Sequence, residues 1–119
     1  GLDGTDATSA IVAFGSVDAF SDPQNPSVTS FGPGNVTVSV TNTAIGRHTV
    51  TVDGTFPGEQ PVLIVSGAEA GTPAPNIVVT GDLLSWTTTS IAFNVSIWNT
   101  QAAVYVDDVF SFVLLVQAN

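Results

Sequence analysis

Asn35-Val36-Thr37-Val38-Ser39-Val40-Thr41-Asn42-Thr43-Ala44-Ile45-Gly46-Arg47-His48-Thr49-Val50-Thr51-Val52 decides the fold. Val36, Val38 and Val40 alternate with Thr37, Ser39 and Thr41. An extended chain therefore puts the valines on one face and the hydroxyls on the other. After Ala44-Ile45-Gly46 the alternation resumes, with His48, Val50 and Val52 sharing a face. Two such runs around a short turn predict an antiparallel hairpin with one face buried.

The same grammar extends in both directions. Ala10 to Phe20 reads as a strand interrupted at Gly15, where a bulge fits. Asp22-Pro23-Gln24-Asn25-Pro26 is a loop, because neither proline suits a sheet interior, and Gly32-Pro33-Gly34 is a turn. Downstream, Gln60 to Ser66 is a short strand and Gly67 to Pro75 a Gly/Ala/Pro loop. Asn76 to Thr80 and Leu83 to Thr87 read as two strands joined by a Gly81-Asp82 turn. Ser90 to Asn99 points Ile91, Phe93, Val95 and Ile97 inward, and Asn99-Thr100-Gln101 turns the chain into a last segment, Ala103 to Gln117. No stretch holds a helical period with caps. About eight short strands with Gly/Pro/Asn turns predict an all-β fold, an antiparallel β-sandwich or jelly roll.

The closing strand departs from the pattern. In Val109-Phe110-Ser111-Phe112-Val113-Leu114-Leu115-Val116, one face carries Phe110, Phe112, Leu114 and Val116. The other carries Val109, Ser111, Val113 and Leu115, polar only at Ser111. A half-buried antiparallel strand should be polar on its second face. The first set is expected in the core, and Val109, Val113 and Leu115 at a contact with another copy of the chain.

The chain has 119 residues, enough for one domain, and no cysteine, so neither a disulfide nor a thiolate metal site is available. Ten carboxylates face one arginine, Arg47, for a formal charge of −9. Nucleic acid requires several phosphate-neutralising cations, which are missing, and an anionic membrane surface would repel the chain. Its longest apolar runs, Phe112 to Val116 among them, have five residues, too short to span a bilayer. With 9% charged residues, solubility rests on Thr, Ser and Asn. That surface suits an extracellular β-protein. Gly1-Leu2-Asp3-Gly4-Thr5-Asp6 forms two G-X-Y triplets, the repeat a collagen triple helix demands. Residues 1–9 are accordingly expected to be the end of a collagen-like stalk or linker, and 10–119 a head domain.

Little in the chain points to catalysis. His48 is the only histidine, sits on a valine-rich face, and is expected to be a hydrogen-bonded core residue. One histidine without cysteine does not make a zinc site, and no nucleophile-elbow motif occurs. Asp107-Asp108 point to opposite sides if extended, so they form no acid/base pair. Asp18, Asp22, Asp53, Asp82, Asp107 and Asp108 could supply oxygen ligands for Ca²⁺, but no EF-hand spacing is present. No cofactor is expected otherwise. Trp86 and Trp98 are the candidate sugar-stacking residues. Trp98 lies opposite Phe93, Val95 and Ile97 in the alternation, which also makes it a candidate oligomer contact. Asn35-Val36-Thr37 and Asn94-Val95-Ser96 match the N-glycosylation pattern, common by chance in so Thr- and Ser-rich a chain.

Three segments carry a resemblance: Val12-Ala13-Phe14-Gly15-Ser16-Val17, Ala44-Ile45-Gly46-Arg47-His48-Thr49-Val50-Thr51-Val52, and Phe93-Asn94-Val95-Ser96-Ile97-Trp98-Asn99-Thr100 leading to Asp108-Val109-Phe110-Ser111-Phe112-Val113. Together they resemble a β-sandwich module of bacterial surface and phage-fibre proteins that follows collagen-like or fibre stalks. In shape the module is similar to the complement-type and tumour-necrosis-factor-type heads, which carry an aromatic where His48 stands. The resemblance implies a homotrimer with the last strand near the threefold axis, and no enzymatic residue.

The expectation is a non-enzymatic homotrimeric head domain on a bacterial cell surface or virion. It would register a stalk and attach to a glycan or protein receptor. The alternatives are a monomeric carbohydrate-binding module using Trp86 or Trp98, and a viral fibre or capsid structural protein.

Overall fold

In a computed structural model, residues 9–67 and 76–117 are described; the collagen-like triplets and most of the Gly67 to Pro75 loop lie outside them. The described residues form nine strands and no helix: β1 (Ser9–Asp18), β2 (Ser27–Gly32), β3 (Thr37–Ala44), β4 (Arg47–Asp53), β5 (Val62–Gly67), β6 (Ile77–Trp86), β7 (Ser90–Asn99), β8 (Val104–Tyr105) and β9 (Val109–Gln117). They build two antiparallel sheets, ordered β2-β1-β9-β5 and β3-β4-β7-β6, with β8 added beside β7. The protein is a β-sandwich.

The decisive hairpin pairs as its alternation requires, Val38 with Val52 and Val40 with Val50. Gly46 closes it at φ 68°, a left-handed conformation that glycine adopts without steric penalty. β7 then lies against β4, Val50 opposite Phe93 and Val52 opposite Ile91. The core between the sheets is filled by Val50, Val52, Ile91, Phe93, Val95 and Ile97 from one side. Ala13, Val17, Phe110, Phe112 and Leu114 come from the other, with Val116 buried nearby. Phe93 and Phe112 meet edge to face across the gap, ring centroids 5.1 Å apart. The core-facing half of the closing strand is therefore as its alternation implied.

Three segments differ from expectation, the first being Ser27–Gly32, a strand that sequence reading did not assign. Gly81-Asp82 is not a turn; it lies inside the single ten-residue strand β6. The reason is packing. A Cβ on Gly81 would lie 2.7 Å from Leu63 Cδ2 and 3.0 Å from Val65 Cγ1. Glycine here lets β5 of one sheet press onto β6 of the other and close that side of the sandwich. The irregularity falls instead between Leu83 and Ser85, where the register against β7 shifts.

The closing segment, Ala103 to Gln117, holds a short strand besides the closing one. Val104–Tyr105 pairs with β7, and Val106 N donates to Ile97 O at 3.1 Å. The chain then crosses through Asp107-Asp108 to the other sheet, where β9 inserts between β1 and β5. With β2 gained, two expected strands merged into β6 and β8 separated from β9, nine strands stand where about eight were expected.

Candidate functional site

With the core-facing residues fixed, pairing assigns the outward ones, because partners in adjacent strands share a face. On the β2-β1-β9-β5 sheet, Leu115 lies between Ile11 and Val62, and Val113 between Phe14 and Ile64. Val113, Leu115 and Val109 are half-buried. Val109 lies apart, two rows from Val113 and beside Asp18, whereas the neighbours of Val113 and Leu115 are open: Ile11 56%, Phe14 41%, Val62 60% and Ile64 52% exposed. Phe14 extends the patch sideways, its ring lying over Gly32, where a Cβ would be 2.5 Å from Phe14 Cζ. A serine row, Ser16-Ser111-Ser66, bounds the patch on one side. Two transverse rows of apolar side chains thus cross three strands without a charge among them.

The other sheet's outer face has two polar rows, with an apolar and aromatic row beyond them. Thr41, Thr49, Asn94 and Asp82 form one transverse row, and Arg47, Ser96 and Thr80 the next. Thr49 Oγ1 donates to Asn94 Oδ1 at 2.7 Å, linking β4 to β7. Trp98 lies in the row beyond, between Val78 of β6 and Tyr105 of β8. Its ring meets Tyr105 edge to face at 4.8 Å between centroids, and Arg47 Cζ stands 4.8 Å from the Tyr105 centroid. β8 brings these three together because it occupies the lane beside β7 that β4 vacates at Arg47. An open groove of ≈ 520 Å³ runs along this face, lined by Arg47, Val78, Thr80, Asp82, Ser96, Trp98 and Tyr105.

Trp98 is half-buried and lies on the sheet opposite Val109, Val113 and Leu115, so the four do not form one surface of the protomer. Trp86 is 37% exposed, at the end of β6 opposite Ile91, and lines neither this groove nor the apolar patch. Arg47, Asp82 and Tyr105 were missed by sequence reading as groove residues. Arg47 had one signal, being the only Lys or Arg. Tyr105 had none, because its segment was read only as the approach to the closing strand.

His48 is fully buried, as its place in the alternation required, but the expected hydrogen bond is absent. Neither ring nitrogen has a hydrogen-bond partner. Nε2 sits 3.4 Å from Asp107 Oδ1, near enough for attraction but out of hydrogen-bond alignment. That oxygen accepts instead from Gly46 N at 2.7 Å, tying the hairpin turn to the crossing before β9. The imidazole stacks on Phe110 with centroids 6.0 Å apart. Burial holds the His48 pKa below its ordinary value, and Asp107 opposes the shift.

The aspartates are dispersed, and several are engaged locally. Asp18 accepts from Phe20 N, Ser21 N and Ser21 Oγ at 2.8–3.0 Å, and the Ser21 bonds hold its pKa down. Asp22 accepts from Asn25 N, and the buried Asp108 from Val109 N. Among the described residues no group of three or more His, Cys, Asp or Glu side chains could hold a metal ion. No known family model matches the chain, and no curated protein or solved structure matches it either.

Proposed function

We propose that this β-sandwich is a non-enzymatic homotrimeric head domain of an extracellular fibre or collagen-like surface protein. In that reading it brings three chains into register and presents its outer loops and faces to a receptor. One observation carries the proposal: the outer face of the β2-β1-β9-β5 sheet exposes Ile11, Phe14, Val62 and Ile64 around the half-buried Val113 and Leu115.

No charged side chain interrupts these rows, and the chain has no lysine. A contiguous apolar patch rimmed by polar residues is typical of an interaction site. A second copy supplies the matching surface, flat, apolar and free of carboxylates. Association through it desolvates no charge, which matters when every copy carries −9. The number three follows from the resemblance of the closing segment to trimeric heads. A local trimer also raises the effective concentration of the segments attached to it.

Light scattering at micromolar concentration tests the reading. Three copies of the 12.1 kDa chain are expected, and a 12.1 kDa species overturns it.

A further inference from the structure

We propose that the groove on the outer face of the β3-β4-β7-β6 sheet binds a neutral pyranose unit of a glycan. Trp98 and Tyr105 would form its apolar wall, with Arg47 and Asp82 its hydrogen-bonding ends. This rests on the receptor-attachment role proposed above, and not on the number of copies.

A pyranose ring has C–H faces and a rim of hydroxyls that both donate and accept. A site for it needs an aromatic surface, a donor and an acceptor close together. The groove has all three. Arg47 offers only donors, Asp82 only acceptors, and Thr80 and Ser96 either. Arg47 and Asp82 stand on β4 and β6, on either side of β7. Two strand spacings and a two-residue offset along the strands separate their backbones, about 12 Å, which leaves room for one sugar ring beside Ser96.

The two charges are not spent on each other. Among the described residues neither makes an ion pair, and Arg47 is engaged with the Tyr105 ring alone. The wall is also set in advance. The Trp98–Tyr105 contact and the guanidinium over Tyr105 fix three side chains before any ligand arrives, which lowers the ordering penalty of binding. A chain of charge −9 with Asp82 in the groove disfavours an acidic sugar, so the neutral class is assigned.

The test uses the full chain and five probes: the methyl glycosides of glucose, galactose, mannose and N-acetylglucosamine, and methyl glucuronide. Amide and indole N–H spectra follow each titration. At least one neutral glycoside should shift the Trp98 indole with a millimolar Kd and leave the Trp86 indole in place. Trp98→Ala, Arg47→Gln and Asp82→Asn should each weaken that binding by at least about tenfold, and Trp86→Ala should not. If Trp98→Ala fails to fold, the exposed Arg47 and Asp82 variants carry the test. The proposal is overturned if no neutral glycoside moves Trp98, or if the shift survives both Arg47→Gln and Asp82→Asn. Tighter binding of the glucuronide overturns the neutral assignment. The mass of the same samples separates the two proposals. A trimer that ignores every glycoside removes only this one, and a monomer that binds one removes only the assembly.

Discussion

On the β2-β1-β9-β5 sheet the outward rows are Ile11-Leu115-Val62 and Phe14-Val113-Ile64; on the β3-β4-β7-β6 sheet they are Thr41-Thr49-Asn94-Asp82 and Arg47-Ser96-Thr80. The inward rows of both sheets are the same kind of chemistry, Val, Ile, Leu and Phe. The difference lies wholly in the residues that the core does not need. One sheet uses hydroxyls and amides to face water, with Thr49 and Asn94 bonded across strands. The other leaves aliphatic and aromatic side chains there, which water tolerates poorly. Each such side chain, when covered, contributes about 1.5–3 kcal/mol. Solvation therefore explains these two polar rows, whereas the apolar rows call for a partner.

The largest effect comes from making the apolar face resemble the polar one. Val113→Asp puts a carboxylate at the centre of the patch, between Phe14 and Ile64. Light scattering should show the assembly reduced to single chains at concentrations where the parent associates. Ser39→Asp, exposed on β3 of the polar sheet, should leave the mass unchanged. If both variants behave alike, the two faces are not functionally different.

A smaller effect comes from forcing the sheets apart where they touch. Gly81→Val drives a branched side chain into Leu63 and Val65, which already crowd a bare Cβ at 2.7 and 3.0 Å. Overpacking of this kind costs about 1–3 kcal/mol, read as a lower urea midpoint. Gly34→Ala meets nothing within 4 Å and should change stability by less than about 0.5 kcal/mol.

Gly81 also shows how far the sequence could be read. Where one strand alternates against one core, residue order is enough. Val50, Val52, Ile91, Phe93, Val95, Ile97 and the inner half of β9 were all legible, and so was the sandwich. Glycine is ambiguous because it serves both turns and close approaches. Only the arrival of Leu63 from the other sheet, well over ten residues away in the chain, decides between them. The crossing at Asp107-Asp108 was hidden for a similar reason. Val104, Tyr105 and Val106 have strand-like composition, and nothing local says they pair with β7 rather than continue into β9. That hidden crossing is what carries Tyr105 to Trp98 and Arg47, so the groove was illegible while the apolar patch could be anticipated from Val113 and Leu115, though not Val109, which stands beside Asp18.

A third variation concerns the joint between the faces. His48 is buried on β4 and faces Asp107 at the crossing. Its folded pKa lies below the ordinary 6.5 because burial disfavours the imidazolium. Above that value both folded and unfolded chains carry neutral imidazole, and the His48 contribution is complete. As pH falls below 6.5 the unfolded chain takes up the proton more readily, so stability is lost with acidification. His48→Phe keeps a ring against Phe110 and removes the titrating group. Urea denaturation between pH 7 and pH 5 should show this part of the slope vanish in the variant. An unchanged slope would place the titration on other groups.

The smallest effect tests the polar face on its own terms. Thr49→Val preserves the β-branched shape that a central strand favours and removes only the hydroxyl that donates to Asn94. Such a bond contributes about 0.5–1.5 kcal/mol net when its partner stays satisfied. Asn94 is half-buried, so water can replace part of what is lost. The expected loss is therefore at the lower end, about 0.5 kcal/mol, with the mass of the assembly unchanged. Removing a hydroxyl by Ser111→Ala, in the row bordering the apolar patch, acts in the opposite direction. It extends the apolar face between Ser16 and Ser66 and should tighten association rather than weaken the fold. Two hydroxyl removals would then move different observables, one the urea midpoint and the other the concentration at which copies separate. That divergence follows only if water covers one face and protein the other.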